Sequence, residues 1–155
     1  MKSKLALVGW GKMGQLIDNL VLMNDEFEEV FEVFDRFETP VDMLATSEVS
    51  VSLTIDSTRS LAAIRAELET FAEVSIEENH AIVCLVGENI RRTPGVAARV
   101  FCALKDIPVR MVSQGASLLN ISLVIAAADV ARAVESLHQE FFDHPDPSAF
   151  ERTSK

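Results

Sequence analysis

From Val49 to Ile55 the chain alternates. Val49, Val51, Leu53 and Ile55 are apolar, and Ser50, Ser52 and Thr54 between them are polar. A period of two is that of a strand with one face in a core. Residues 41–45 read as a second short strand, and Thr46-Ser47-Glu48 joins the two as a hairpin. Upstream, Leu5 to Val8 is an apolar run of strand length leading into Gly9-Trp10-Gly11-Lys12-Met13-Gly14. Met13, Leu16, Ile17, Leu20 and Val21 then follow at helical spacing. Asn24-Asp25-Glu26 has the form of a helix start, a cap residue with acids in the first turn. Phe27, Val30, Phe31, Phe34 and Phe37 lie on one helical face after it, and Thr39-Pro40 ends that helix.

Downstream of the hairpin, Asp56-Ser57-Thr58 supplies another cap, and Leu61, Ile64, Leu68 and Phe71 predict a helix near 58–71. Residues 74–76 read as a short strand, Glu77-Glu78-Asn79 as a polar break, and residues 81–86 as a strand covered on both faces. Thr93-Pro94 predicts a cap with proline at the first helical position, followed by Val96, Val100 and Leu104 at intervals of four. Residues 108–112 and 121–125 read as strands. Asp129 is the expected cap of a last helix, with Val130, Ala133, Val134, Leu137 and Phe141 facing inward. The Asp-His-Pro-Asp-Pro-Ser run from Asp143 predicts a fraying tail over 143–155.

The element order is β-α-β-β-α-β, then β-α-β-β-α, and the halves share sequence. Pro40-Val-Asp-Met43 recurs as Pro108-Val-Arg-Met111, Val30-Phe31 as Val100-Phe101, and Val51-Ser-Leu53 as Ile121-Ser-Leu123. A repeat at this spacing implies two copies of one small module. A βαββαβ module is a four-stranded antiparallel sheet with two helices on one face, an α+β fold. One copy alone buries little surface, so pairing of modules, and of chains through sheet edges, is expected.

Composition narrows the function. The 155 residues are 48% hydrophobic, enough for a core, and the net charge of −10 argues against binding a phosphate backbone. No apolar run approaches about 18 residues, and the one near the N-terminus is too short for a signal peptide, so a soluble cytoplasmic protein is expected, with no membrane partner. Cys84 and Cys102 form no CxxC pair and sit in apolar-periodic stretches, so they are expected as buried free thiols. His80, His138 and His144 lack metal-ligand spacing, and no serine or cysteine has a recognisable catalytic partner arrangement. The candidate chemistry lies in the hairpin. Asp42, Thr46, Ser47 and Glu48 are expected close together at one end of it, where two carboxylates and two hydroxyls suit a small cationic or zwitterionic ligand. The alternative is a polar, solvated turn.

Residues 30–56, from Val30-Phe-Glu-Val-Phe through Thr46-Ser-Glu-Val-Ser to Ile55-Asp56, resemble the first ACT module of bacterial aspartate kinases. Arg110-Met-Val-Ser-Gln-Gly-Ala-Ser117, with Asn120-Ile-Ser122 and 137–142, resembles the second, and the likeness covers about residues 27–142. The resemblance implies tandem ACT modules of ferredoxin-like βαββαβ fold that bind lysine, threonine or both and regulate the kinase. Nothing in the sequence resembles the kinase's catalytic domain. The family's effector site lies between paired modules. The matching positions are Pro40, Val41, Asp42, Thr46, Ser47 and Glu48 in the first module and Gln114, Gly115, Ala116, Ser117 and Asn120 in the second. Asp42 would accept an effector ammonium, and Glu48 a second one from lysine. Arg110 stands where the first module has Asp42, so the second pocket is not expected to take the same ligand in the same way. Partners by this reading are the free amino acid, and a second copy or a kinase catalytic subunit. No cofactor is implied.

The first 25 or so residues depart from that pattern. In the family a strand preceding the first module completes the second, and here that strand is expected to be absent or replaced. Residues 1–26 therefore read as an atypical strand and glycine-rich turn, 27–77 as the first module together with strand 4–9, and 78–142 as the second. Residues 4–14 instead resemble the start of 4-hydroxy-tetrahydrodipicolinate reductase. There Gly9, Gly11 and Gly14 would let the backbone approach an NAD(P) pyrophosphate at a helix N-terminus, and Asp35 would take the ribose hydroxyls. This alternative makes residues 27–35 a strand instead of a helix.

Overall fold

The structure is a computed structural model, and it describes residues 5–8, 13–22, 27–47, 50–114 and 119–142. The helix start expected at Asn24-Asp25-Glu26 and the tail over 143–155 lie outside the described residues. The chain divides into two compact units: Lys12–His80, and Met1–Gly11 together with Ala81–Lys155. The first module is thus an insertion, in sequence, into the second.

In the first module β2 (Met13–Leu22), α1 (Phe27–Arg36), β3 (Val41–Thr46), β4 (Ser50–Ile55), α2 (Leu61–Leu68) and the start of β5 (Ala72–Gly87) follow one another. The strand order is β3-β4-β2-β5. Both β2 and β3 run antiparallel to β4. This is the predicted βαββαβ arrangement. Alternation holds in β4 from Ser50 to Leu53, and Val51, Leu53 and Ile55 are fully buried, but Thr54, expected on the open face, is buried too. They meet Val30, Val33 and Phe34 of α1 and Ile64 and Leu68 of α2, so the sheet is closed by helices on that face. Arg36 of α1 pairs with Glu67 of α2 across the helix layer.

The second module has β1 (Leu5–Val8), the end of β5, α3 (Val96–Ala103), β6 (Val109–Gln114), β7 (Asn120–Ala126) and α4 (Val130–Phe142). β7 lies between β6 and β5, and β1 also pairs with β5. Its core joins Val83 and Leu85, Ile121, Leu123 and Ile125, Val96 and Val100 of α3, and Ala133 and Leu137 of α4.

Several expectations change. Met13–Leu22 is a strand, although its apolar residues suit a helix. Pairing with β4, with an irregularity between Ile17 and Leu20, outweighs the local periodicity. Leu5–Val8 is a strand as expected but does not serve the first module. It pairs antiparallel with Cys84–Gly87, so it completes the second sheet. The preceding strand read as absent or replaced is therefore present. Residues 72–87 form one strand with no break at Glu77-Glu78-Asn79. Asn79 sits there with φ of 60°, and the division between units falls after His80, not after Glu77. Asparagine tolerates that left-handed backbone, which lets the strand continue through the polar stretch. Helix α3 starts after Gly95, at φ of 83°, instead of at Thr93, whose hydroxyl donates to the Asn89 carbonyl at 3.0 Å. Cys102 is exposed and Cys84 half-buried. Cys102 falls two residues past buried Val100 and so off the inner face of α3.

Two outcomes test this architecture. Deleting residues 1–8 removes one of the partners of β5, and amide hydrogen exchange at Cys84–Gly87 should accelerate markedly while β4 stays protected. Leu53→Ala, at a fully buried site, should lower the stability of the first module by about 2–5 kcal/mol in urea titration. An effect below about 1 kcal/mol would contradict the packing described.

Candidate functional site

The start of β3 is set by how α1 ends. The Phe37 amide donates to the Val33 carbonyl at 3.2 Å and the Glu38 amide to the Asp35 carbonyl at 3.0 Å. Glu38 turns left-handed, with φ of 47°, which closes the helix. Thr39 is buried, and its hydroxyl donates to the Phe37 carbonyl at 3.1 Å. Pro40 is exposed and leads straight into the strand, where Val41 packs against the first core.

At Asp42 the ladder slips. Val41 faces Ile55 but Met43 faces Thr54, so Asp42 is an extra residue on β3. The Met43 amide donates to the Thr54 hydroxyl at 3.0 Å, and Thr54 is buried. The bulge thus has a side-chain acceptor for an amide displaced from the regular ladder, and the Asp42 carboxylate is exposed on an edge strand.

The same slip recurs in the second module. Val109 faces Ile125 and Met111 faces Val124, which makes Arg110 the extra residue. The repeat therefore sets a carboxylate and a guanidinium at equivalent bulges. Val124 stands where the first module has Thr54 and has no hydroxyl to accept the Met111 amide. The exposed apolar residues recur too: Phe31 and Leu44 in the first module, Phe101 and Val112 in the second.

The other predicted residues are spread along the strands. Thr46 faces Val51 at the far end of β3. At about 3.3 Å per residue, four residues of extended chain put Thr46 roughly 13 Å from Asp42. The expected cluster of Asp42 with Thr46 and Ser47 is therefore not formed, because they occupy opposite ends of one strand. Ser47 instead closes the hairpin. Its hydroxyl lies 2.6 Å from that of Ser50 and accepts the Ser50 amide at 3.2 Å, and its own amide donates to the Ser50 carbonyl at 2.8 Å. Glu48 lies outside the described residues. In the second module Gln114 ends β6 exposed and Asn120 begins β7 half-buried, while Gly115, Ala116 and Ser117 lie outside the described residues.

The nucleotide-binding reading does not match the backbone. Gly14 lies within strand β2, where a pyrophosphate site needs the start of a helix, and Asp35 is exposed in helix α1 instead of ending a strand. Gly9 and Gly11 lie outside the described residues. Sequence reasoning missed the bulges and the Thr54 contact. The offset between the repeated segments, 68 residues for β3 and β6 but 70 for β4 and β7, gave no signal of them: it reflects a hairpin two residues longer in the second module, because both copies carry the same bulge.

The comparisons with known proteins fit this geometry. Residues 83–141 match the model of an ACT domain. The chain is 33% identical to a solved chain assigned as the C-terminal regulatory domain of aspartate kinase from Porphyromonas gingivalis W83. The TM-score is 0.77, over 92% of this chain and 99% of that one. It is 37% identical over 131 residues to the chloroplastic aspartokinase 1 of Arabidopsis thaliana, covering 77% of this chain and 23% of that protein. Aspartokinase III of Escherichia coli, solved in complex with lysine and aspartate in the T-state, is 30% identical. It superposes with a TM-score of 0.72 over 92% of this chain and 33% of its own. This chain thus spans about a quarter of the length of the curated relatives it matches. The repeated antiparallel modules and these likenesses agree: the chain belongs to the ACT-domain regulatory regions of aspartate kinases.

Proposed function

We propose that this chain senses free lysine at the β3 edge of its first module and transmits that binding to an aspartate kinase catalytic region. The observation that carries the reading is the pair of equivalent bulges, one bearing Asp42 and the other Arg110. A ligand with an ammonium is attracted to the first and repelled by the second, so the first module is the sensing one. Pro40 and Val41 hold Asp42 in place, and the exposed edge of β3 offers main-chain groups to the effector. The lysine complex of the E. coli relative supports lysine as the ligand, with threonine as the alternative effector. Thr46 ends the same edge strand and Ser47 closes its hairpin, so both come within reach of the longer side chain of lysine only through a partner or a rearranged hairpin. Glu48, next in sequence, is the candidate acceptor for the second ammonium of lysine. Their equivalents Gln114, Gly115, Ala116, Ser117 and Asn120 serve the second module. No cofactor enters this reading.

A second copy completes the site. Each module carries a large apolar residue exposed on its first helix and another on its edge strand, Phe31 with Leu44 and Phe101 with Val112. An edge strand with apolar neighbours is a surface on which another sheet can add. Effector binding then favours one arrangement of paired modules, and that preference is what a kinase catalytic region would read in the cytoplasm.

Calorimetry of the full chain with L-lysine and with L-threonine tests this. Lysine should give saturable heat, and Asp42→Asn should weaken it at least about tenfold, as expected for losing a charge-assisted hydrogen bond. Arg110→Ala should leave lysine binding nearly unchanged. Absence of heat at millimolar lysine, or equal sensitivity to both substitutions, would reject the assignment of sensing to the first module.

A further inference from the structure

Away from the β3 edge, the first module has a cavity of about 390 Å³, wide open to solvent and lined by Thr58, Leu61, Ala62, Arg65, Ile76 and Glu78. All six of these described residues belong to Lys12–His80, the unit of the first module. Its apolar part is formed by Leu61 and Ile76, both packed on the first core, with Ala62 between helix and solvent.

The charged groups around that apolar surface are of opposite sign. Arg65 uses its Nε to donate to Glu69 Oε1 at 2.7 Å, and its side chain remains about half exposed. A guanidinium has five N–H donors, so the two Nη groups are available to a second carboxylate. Glu78 is exposed and has no ion-pair partner among the described residues. Helix α2 begins beside the cavity. Its cap residue Ser60 makes no side-chain cap bond, and its first turn contains no acid, so the helix supplies no negative charge of its own at its positive end.

A simple anion would be repelled by Glu78, and a simple cation by Arg65. A ligand that carries both charges next to an apolar body satisfies both groups. The volume lies at the small end of the range for small-molecule sites.

We propose that this cavity binds a free α-amino acid with an apolar side chain. Its carboxylate meets the Arg65 Nη groups and the first turn of α2. Its ammonium meets the Glu78 carboxylate, and its side chain lies on Leu61, Ala62 and Ile76. The cavity is separate from the Asp42 bulge, so the first module would read two classes of amino acid at two places.

The test uses the full chain and L-leucine as probe, by calorimetry, alongside N-acetyl-L-leucine and L-leucinamide. Leucine should give saturable heat, and each analogue, lacking one charge, should bind at least about tenfold more weakly. Arg65→Gln and Glu78→Gln should each reduce leucine affinity by a similar factor. Both leave the thermal midpoint nearly unchanged, because exposed ion pairs contribute little to stability. Asp42→Asn should not affect leucine. Absence of leucine heat at millimolar concentration, equal binding of leucinamide and leucine, or indifference to both substitutions would overturn the proposal. Failure of lysine to bind at the β3 edge would leave it intact.

Discussion

The second module depends on a backbone contact made by the first described residues of the chain. The end of β5 pairs with β7 on one side, and its other side meets Leu5–Val8 in antiparallel register, Leu5 with Gly87 and Val8 with Cys84. Without that strand a row of amides and carbonyls next to the buried Val83 and Leu85 would be left to solvent or to an intruding chain. The first module gets its fourth strand from the chain that follows its second helix. The second gets its fourth strand from before the first module began. One topology is thereby built twice from differently ordered segments, and the two modules cannot be cut apart at a single point in the sequence.

Duplication also explains the asymmetry of the candidate site. Both edge strands slip by one residue at the same place, between Val41 and Met43 and between Val109 and Met111. A bulge detaches its extra residue from the alternation that fixes the rest of the strand, so that residue can vary without disturbing the core. The two copies use this freedom differently. The first has Asp42 there, with a buried Thr54 hydroxyl accepting the next amide, and the second has Arg110 and Val124. The chemical difference between the two bulges is thus concentrated in two positions, while Val51, Leu53 and Ile55 and their counterparts Ile121, Leu123 and Ile125 are alike in being buried apolar residues of the two cores.

By itself the sequence determined the fold class, the duplication and most of the core. The alternation around Leu53, the inward stripes of α1 and α4, and the repeated Pro-Val-x-Met segments are local patterns, and burial of an apolar face follows from them wherever the element packs. Only the tertiary structure decided where Leu5–Val8 pairs, that Met13–Leu22 is extended, and that Asp42 and Ser47 lie at opposite ends of one strand. Strand pairing joins residues far apart in sequence, and its hydrogen bonds leave no trace in the local spacing of side chains. A segment that suits a helix by periodicity becomes a strand when a sheet has an open edge beside it. The ladder hydrogen bonds and apolar burial available at that edge outweigh a small difference in intrinsic preference.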